Sequence, residues 1–349
     1  MSRIDDDLRD ELEALRTEGL FRQLRCVDSP QSPRLNIDGR SFLNFSSNDY
    51  LGLANHPTLK EAAIKAIERY GAGAGASRLI SGSLAPHHEL EESIAAFKGT
   101  EAALSFSSGY AAATGAITAL VGKEDILILD KLVHASLVDA ARLSRAKLRV
   151  YAHNSLDDLE KKLKWAQSIS QAAAGRRPRI LIVTESLFSM DGDIAPLRNV
   201  VDLKDKYGAW LMVDEAHATG LYGENRRGLA EEFGVSARIE IQMGTLGKAL
   251  GSAGGYIAGS RQLIELLINR ARSFIFSTAP VPAAAAAATA AIGLLRSHGG
   301  EVLRQRLWGV VEQIKRELLE AGFQLPPVRS AIIPLILGQE KNALAAAEI

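Results

Sequence analysis

Residues 102–151 read AALSFSSGYAAATGAITALVGKEDILILDKLVHASLVDAARLSRAKLRVY, and this stretch decides the fold. Short apolar runs at 102–106, 125–129 and 148–151 alternate with helical patterns at 107–121 and 134–144. Apolar strands separated by helices of about 10–15 residues are typical of a mainly parallel sheet that helices cover on both faces. The sequence therefore predicts an α/β protein.

The same alternation continues along the chain. Further strands are predicted at 180–184, 210–213, 239–243 and 255–258, with earlier helices at 4–24 and 58–70. After residue 282 the pattern changes to alanine-rich and then charged helices, and KNALAAAEI at 341–349 resembles the start of another helix. We therefore expect an N-terminal helix and arm at 1–45, a large domain at 46–282 and a smaller α/β domain at 283–349.

Composition limits the function. Lys plus Arg and Asp plus Glu both total 41, so no net positive charge favours nucleic acid as a partner. Cys26 is the single cysteine, which rules out a disulfide framework and suits a reducing cytoplasm. The longest weakly apolar run, 279–295, falls short of the roughly 18–20 residues that span a bilayer. The sequence predicts a cytoplasmic protein with no membrane contact.

The turn Ser107-Ser108-Gly109-Tyr110 joins a predicted strand to a predicted helix. Backbone N–H groups at a helix N-terminus point outward and favour an anion, so this turn is a candidate phosphate site. An ordinary connection remains the alternative for the turn taken alone.

An acid and a lysine follow two later strands. WLMVDEAH at 210–217 places Asp214 at a strand's carboxyl end, where open α/β sheets bind ligands, with His217 three residues later. The letters DEAH also suggest a nucleotide hydrolase, but no phosphate-binding G-x-x-x-x-G-K-[ST] loop accompanies them. Lys248 stands in an uncharged neighbourhood, where desolvation would lower its pKa as a Schiff-base lysine requires. A lysine that extends into solvent is the alternative.

Three other sequence patterns give weaker evidence for a functional site. The glycine run at 71–77 follows a helix rather than a strand, which argues against a dinucleotide site. Asp191-Gly192-Asp193 is better explained as a turn than as a metal site, and no metal is expected. His87 and His88 are expected to face solvent or to cap a helix.

The anion turn, the acid, the histidine and the lysine have one joint explanation, which is pyridoxal 5'-phosphate (PLP). An acid would keep the pyridine nitrogen protonated, a lysine would bond the aldehyde and the turn would hold the phosphate. Their order on successive strands makes this combination far more specific than any single motif.

The chain resembles the α-oxoamine synthases, a branch of the fold-type-I, aspartate aminotransferase-like PLP enzymes. The resemblance covers residues from about 20 to 340. It rests on NFSSNDYLGL (44–53), GASRLISGS (75–83), HHELEE (87–92), HASL (134–137), TESLFSMDGDIAPL (184–197), VDEAHATGLYGENRRG (213–228), GTLGKALG (244–251) and FSTAP (276–280).

The resemblance implies catalytic roles for three residues, with Lys248 bonded to the cofactor, Asp214 on the pyridine nitrogen and His134 on the ring face. It assigns His217 and Ser189 to the phenolic oxygen of the cofactor. Its phosphate would contact Gly109, Tyr110 and Thr245, and Ser277 and Thr278 would reach the phosphate of a neighbouring subunit. The substrates would contact Arg22 and Asn48.

The implied reaction is a decarboxylative condensation of L-alanine with a pimeloyl thioester of coenzyme A or acyl carrier protein. It would give 8-amino-7-oxononanoate for biotin biosynthesis, in a homodimer with its site at the interface. Glycine C-acetyltransferase, 5-aminolevulinate synthase and a non-catalytic cofactor-binding protein remain alternatives. Family members carry a carboxylate-binding arginine beyond the point that matches residue 349, so we expect this chain to bind cofactor but to be impaired in catalysis.

Overall fold

The computed structural model describes residues 3–171, 176–325, 327, 329–338 and 340–347. The strands are β1 (Arg34–Ile37), β2 (Arg40–Leu43), β3 (Ala102–Phe106), β4 (Ile126–Asp130), β5 (Lys147–Tyr151), β6 (Ile180–Glu185), β7 (Trp210–Asp214), β8 (Ile241–Thr245) and β9 (Gly255–Gly259). The helices are α1 (Arg3–Thr17), α2 (Pro57–Tyr70), α3 (Ala85–Lys98), α4 (Gly109–Leu120), α5 (Ala135–Ser144), α6 (Leu156–Gln171), α7 (Leu197–Tyr207), α8 (Leu229–Glu232), α9 (Arg261–Arg270), α10 (Arg272–Ile275), α11 (Pro282–Arg296), α12 (His298–Glu320) and α13 (Glu340–Ala347).

The central sheet has seven strands in the order β3-β9-β8-β7-β6-β4-β5. Only β9 runs against its neighbours, β3 and β8, so the other six strands point the same way. Strands β4 and β6 are buried along their whole length, as their unbroken apolar sequences predict for a sheet covered on both faces. The predicted α/β fold with a mainly parallel sheet is confirmed.

The carboxyl ends of the parallel strands form one edge of the sheet, and the predicted site residues follow these ends. Gly109 comes after β3, His134 after β4, Ser189 after β6, His217 after β7 and Lys248 after β8. Open α/β sheets bind ligands at this edge, so the topology gathers residues that are far apart in sequence.

Most element boundaries differ from the prediction by one or two residues, and two of the differences have a clear cause in the backbone. Helix α1 ends at Thr17 instead of residue 24, because Gly19 adopts a left-handed φ of 69° that turns the chain away. Strand β8 begins at Ile241 instead of residue 239, because a 3₁₀ turn at Ser236–Arg238 uses Ile239 as its C-terminal cap.

Beyond residue 283 the described residues form helices and a segment without regular secondary structure at 329–338, with no strand among them. Helix α11 packs against α2 and α3 of the preceding region. Helix α13 covers most of the C-terminal helical pattern, whose residues 348–349 lie outside the described residues, as do residues 1 and 2 of the predicted N-terminal arm. The division into three segments, with its two boundaries, stays a prediction.

No helix in the described part of the chain is long and apolar enough to cross a bilayer.

Candidate active site

Lys248 lies at the centre of a connected group of side chains. Its Nζ is 2.5 Å from His217 Nε2, and His217 Nδ1 is 2.6 Å from the Tyr50 hydroxyl. That hydroxyl is also 3.5 Å from Asn48 Oδ1. The predicted lysine, histidine and asparagine are therefore linked through a tyrosine from the N-terminal segment.

The surroundings of Lys248 and His217 favour their neutral forms. Burial lowers the pKa of Lys248, although the carboxylates of Asp214 and Glu185 oppose that shift. Burial, together with the nearby charges of Lys248 and His134, lowers the pKa of His217 to about 3. His217 is therefore neutral at physiological pH, and the amine of Lys248 is a better nucleophile and base than an exposed lysine.

Two buried carboxylates face this amine from neighbouring strands. Asp214 ends β7 opposite Glu185 at the end of β6, and their residues are 6% and 2% exposed. Burial raises the pKa of Asp214, and burial with the neighbouring Asp214 raises the pKa of Glu185 to about 8. Asp214 Oδ1 accepts a hydrogen bond from the backbone N–H of Ala216 at 2.9 Å.

Neither carboxylate has an ion-pair partner within 4.0 Å in the described part of the chain. A buried acid without a cation is costly unless it is protonated or a ligand supplies the positive charge. The protonated pyridine nitrogen of PLP would supply that charge, so these residues fit the cofactor.

The anion turn and Thr245 lie side by side. Ser108 caps α4 by accepting a hydrogen bond from the N–H of Ala111 at 3.0 Å, and Gly109 is the first residue of the helix. A Cβ placed on Gly109 would lie 3.8 Å from Thr245 Cβ, which shows how closely the two residues approach. An exposed helix start beside a threonine hydroxyl suits a phosphate group.

His134 and Tyr110 lie at the edge of the candidate site around Lys248. His134 precedes α5, and its backbone N–H donates to Glu185 Oε1 at 2.5 Å, while its ring Nδ1 accepts from the N–H of Ser136. Tyr110 is half exposed beside Gly109, and its hydroxyl donates to Asp139 at 3.1 Å. A ligand could contact both side chains from the open side of the site.

Four predicted site residues, Ser189, Arg22, Ser277 and Thr278, form no hydrogen bond with any of the site residues named above within the described structure. Ser189 lies in the turn after β6, and Arg22 is exposed on the segment after α1. Ser277 precedes Thr278, which forms a β-bridge with Ser77. The roles assigned to these four residues, like those of the other predicted site residues, stay predictions.

Two residues of the site, Glu185 and Tyr50, are not predicted from the sequence. Glu185 carried a signal, because an acid ends an apolar strand next to the strand that ends in Asp214. Tyr50 carried none, since only the tertiary fold brings it 2.6 Å from a residue 167 positions away.

His87 corrects a prediction in part. It caps α3, as one alternative proposed, because its Nδ1 accepts from the N–H of Leu84. The expectation that it faces solvent is wrong, since it is fully buried and its Nε2 lies 2.8 Å from the carbonyl oxygen of Pro280. Across the described residues, no group of three or more His, Cys, Asp or Glu side chains could hold a metal ion.

Comparisons with known proteins agree with this geometry. A sequence model of the aminotransferase class I and II family matches residues 40–349. An 8-amino-7-oxononanoate synthase from Geobacter sulfurreducens is 52% identical over 334 residues, which cover 96% of this chain and 83% of that relative. One from Thermoanaerobacter pseudethanolicus is 47% identical over 339 residues, covering 97% and 84%. The chain belongs to the 8-amino-7-oxononanoate synthase family.

Solved structures support the same family. A serine palmitoyltransferase from S. paucimobilis with a bound PLP–myriocin aldimine has a TM-score of 0.88 and 31% identity, covering 98% of this chain and 87% of that one. The 8-amino-7-oxononanoate synthase from Francisella tularensis has a TM-score of 0.72 and 28% identity, covering 87% and 84%. This member of the family is a fold-type-I, PLP-dependent acyltransferase of biotin biosynthesis.

Proposed function

We propose that this enzyme condenses L-alanine with a pimeloyl thioester, releasing CO₂ and the free thiol and forming 8-amino-7-oxononanoate. The single observation that carries the proposal is the buried Lys248 amine, which lies 2.5 Å from His217 and near the paired carboxylates of Asp214 and Glu185. The names of the relatives support the same reaction.

The cofactor, when bound, supplies an aldehyde for an amine and a ring that accepts electrons from the substrate carbon. Lys248 would be the amine that holds the aldehyde of the cofactor. As a free amine it would remove the proton from the α-carbon of alanine, because burial lowers its pKa toward the working pH.

Asp214 and His217 hold protons at the two sides of the ring. The Asp214 carboxylate would hold a proton on the pyridine nitrogen of a bound cofactor, so that the ring can accept negative charge. If the Tyr50 hydroxyl donates to His217 Nδ1, the neutral ring carries its proton on Nε2. That N–H donates to the Lys248 amine in the protein without cofactor. With the cofactor bound, it would instead donate, together with Ser189, to the phenolic oxygen.

The remaining predicted residues place the other groups of the ligands. Gly109, Tyr110 and Thr245 would hold the phosphate at the start of α4, and His134 would lie against the ring. Arg22 would meet the acyl substrate and Asn48, next to Tyr50, the amino acid.

We place the site at the interface of a homodimer. Two exposed apolar side chains lie within three residues of the bridge between Ser77 and Thr278 along the chain, Ile80 at 81% exposed and Phe276 at 71%. Apolar surface of this kind is typical of an interface, and it adjoins the residues proposed to reach the neighbouring phosphate. A cytoplasmic location stays a prediction, favoured by the single cysteine.

The test compares amino acids on the PLP-loaded protein. L-alanine should change the visible absorbance of the cofactor, and adding pimeloyl-CoA or pimeloyl-acyl carrier protein should release CO₂ and yield a product with the mass of 8-amino-7-oxononanoate. A response to glycine but not to L-alanine, or consumption of acetyl-CoA instead of the pimeloyl thioester, would contradict the proposed substrates.

A further inference from the structure

The loop that carries Ser189 is held by a histidine from another strand. His153 follows β5, with its Nδ1 2.9 Å from Asp130 Oδ1 and its Nε2 2.8 Å from Asp193 Oδ2. A neutral imidazole carries one N–H and can donate to only one carboxylate. Hydrogen bonds on both sides therefore require the doubly protonated, positively charged ring.

The groups around His153 are acidic. Asp130 comes from β4 and Asp193 from the loop, while Tyr151 at the end of β5 faces Asp130. Neither carboxylate pairs with a lysine or arginine in the described ranges. Burial lowers the pKa of His153, but the hydrogen bonds with Asp130 and Asp193 outweigh it and raise that pKa overall.

Asn154 also donates hydrogen bonds to both carboxylates. Its backbone N–H donates to Asp130 Oδ2 at 2.9 Å and its side-chain amide donates to Asp193 Oδ2 at 2.7 Å. We call the Asp130–His153–Asp193 arrangement the histidine clamp.

The clamp acts on a loop that closes on itself. The backbone N–H of Phe188 donates to the Asp193 carbonyl oxygen at 3.0 Å, and that of Gly192 to the Phe188 carbonyl oxygen at 3.0 Å. The His153 ring also meets the Phe188 ring edge-on, with centroids 4.4 Å apart. Ser189 follows Phe188 inside this closed loop, so fixing Asp193 and Phe188 also fixes Ser189.

We propose that His153, held between Asp130 and Asp193, is a positioning residue that keeps Ser189 directed at the cofactor and releases it as the pH rises. The inference rests on the proposed function, in which Ser189 meets the phenolic oxygen. Because the pKa of His153 is raised in the folded protein, the clamp is complete below the ordinary histidine pKa and is lost as the pH rises through the raised value.

A conservative variant distinguishes two roles of His153: holding the loop through hydrogen bonds on both ring nitrogens, or only packing against it. In Asp193→Asn, the side-chain amide can donate to Nε2 of a neutral His153, whose Nδ1–H still donates to Asp130. The Asn154 amide, which now donates to Asp193 Oδ2, can flip and accept from the new amide through its Oδ1. This variant should hold the loop without the second proton, whereas His153→Gln should weaken it at every pH. His298→Gln is the matched control, because His298 is an exposed histidine at the start of α12.

The experiment measures hydrogen exchange of the Phe188, Gly192 and Ala195 amides in the PLP-free protein from pH 6 to 9, corrected for intrinsic exchange. The dissociation constant of PLP is measured over the same range. Wild type and His298→Gln should lose protection and bind PLP at least about tenfold more weakly at the alkaline end. His153→Gln should be weak throughout, and Asp193→Asn should be independent of pH.

Two results would overturn the proposal. One is that hydrogen-exchange protection of the loop in the wild type does not change with pH, or that His153→Gln has the same protection as the wild type. The other is a change in protection with no accompanying change in PLP affinity, which would separate the clamp from Ser189. A protein that binds no PLP in any variant would refute the proposed function instead, while the exchange data on the PLP-free protein would still decide whether the clamp exists.

Discussion

Asp214 shows at the scale of one residue how the fold prepares a site for a cation. Its carboxylate is buried at the end of β7, its pKa is raised by that burial, and no described side chain forms an ion pair with it. The acid is costly to ionise in the free protein and becomes favourable beside a protonated pyridine.

Asp214→Asn should therefore separate stability from catalysis. Asn keeps the acceptor for the Ala216 N–H but has no charge to bury, so the PLP-free variant should melt at the same temperature as the wild type or higher at pH 8. Turnover should fall by about a hundredfold or more, because the ring loses the charge that holds its proton. Thermal melts and steady-state rates check both parts, and near-normal turnover would contradict the role of Asp214.

Glu185 should make the stability of the PLP-free protein depend on pH. Its folded pKa of about 8 lies above the ordinary value, so the folded state holds a proton that the unfolded state loses, and stability falls as the pH rises from about 4.5 to 8. Glu185→Gln keeps an acceptor for the His134 N–H and should reduce this fall by a few kcal/mol in free energy of unfolding. Chemical denaturation at pH 5 and 8 measures it. Equal pH dependence in both proteins would contradict the raised pKa.

The sequence could predict Lys248, Asp214 and His217 because each follows an apolar strand, and strand ends meet at one edge of the sheet. It could not predict that Tyr50 bonds to His217, because no local pattern encodes a contact between segments 167 residues apart. The burial of His87 was missed for the same reason, since its partner is the carbonyl of Pro280.

At the scale of an element, the start of α4 depends on close packing against β9. A Cβ on Gly255 would lie 2.6 Å from Gly109 Cα and 2.7 Å from Gly109 N, and a backbone neighbour cannot move aside as a side chain can. The predicted phosphate turn is therefore positioned by a strand that the sequence analysis placed correctly but gave no role.

Gly255→Ala should displace the start of α4 and weaken PLP binding by about tenfold or more, with a smaller loss of binding for a phosphate-free pyridoxal. Gly122→Ala is the matched control, because a Cβ there meets nothing within 4 Å. Titration of the PLP-free proteins with both ligands makes the comparison. Unchanged PLP affinity in Gly255→Ala would show that this turn does not hold the phosphate.

All seven strands of the central sheet were predictable because each is apolar along most of its length, whereas the helices α3, α6 and α7 were not located from the sequence. Errors arose at boundaries that single residues set through backbone conformation, as with Gly19 after α1 and the 3₁₀ turn before β8. Such local turns depend on φ and ψ values that hydrophobic periodicity does not report.

At the scale of the whole molecule, a shared site predicts complementation between inactive subunits. Lys248→Ala removes the amine, and Thr278→Glu would place a carboxylate against the phosphate of the neighbouring subunit. Each variant alone should be inactive, but refolding the two together should recover about a quarter of wild-type activity, since half of the randomly paired dimers contain one intact site. Activity assays after mixing test this, and no recovery despite formation of mixed dimers would contradict a site shared between subunits.

The central claim is that one amine among the lysines of this chain bonds the cofactor. The direct measurement is reduction of the PLP-loaded protein with borohydride, followed by digestion and mass spectrometry. The account predicts a single phosphopyridoxyl group on the peptide that contains Lys248, and none in Lys248→Ala. A label on another lysine, or a Lys248→Ala protein labelled as strongly as the wild type, would contradict it.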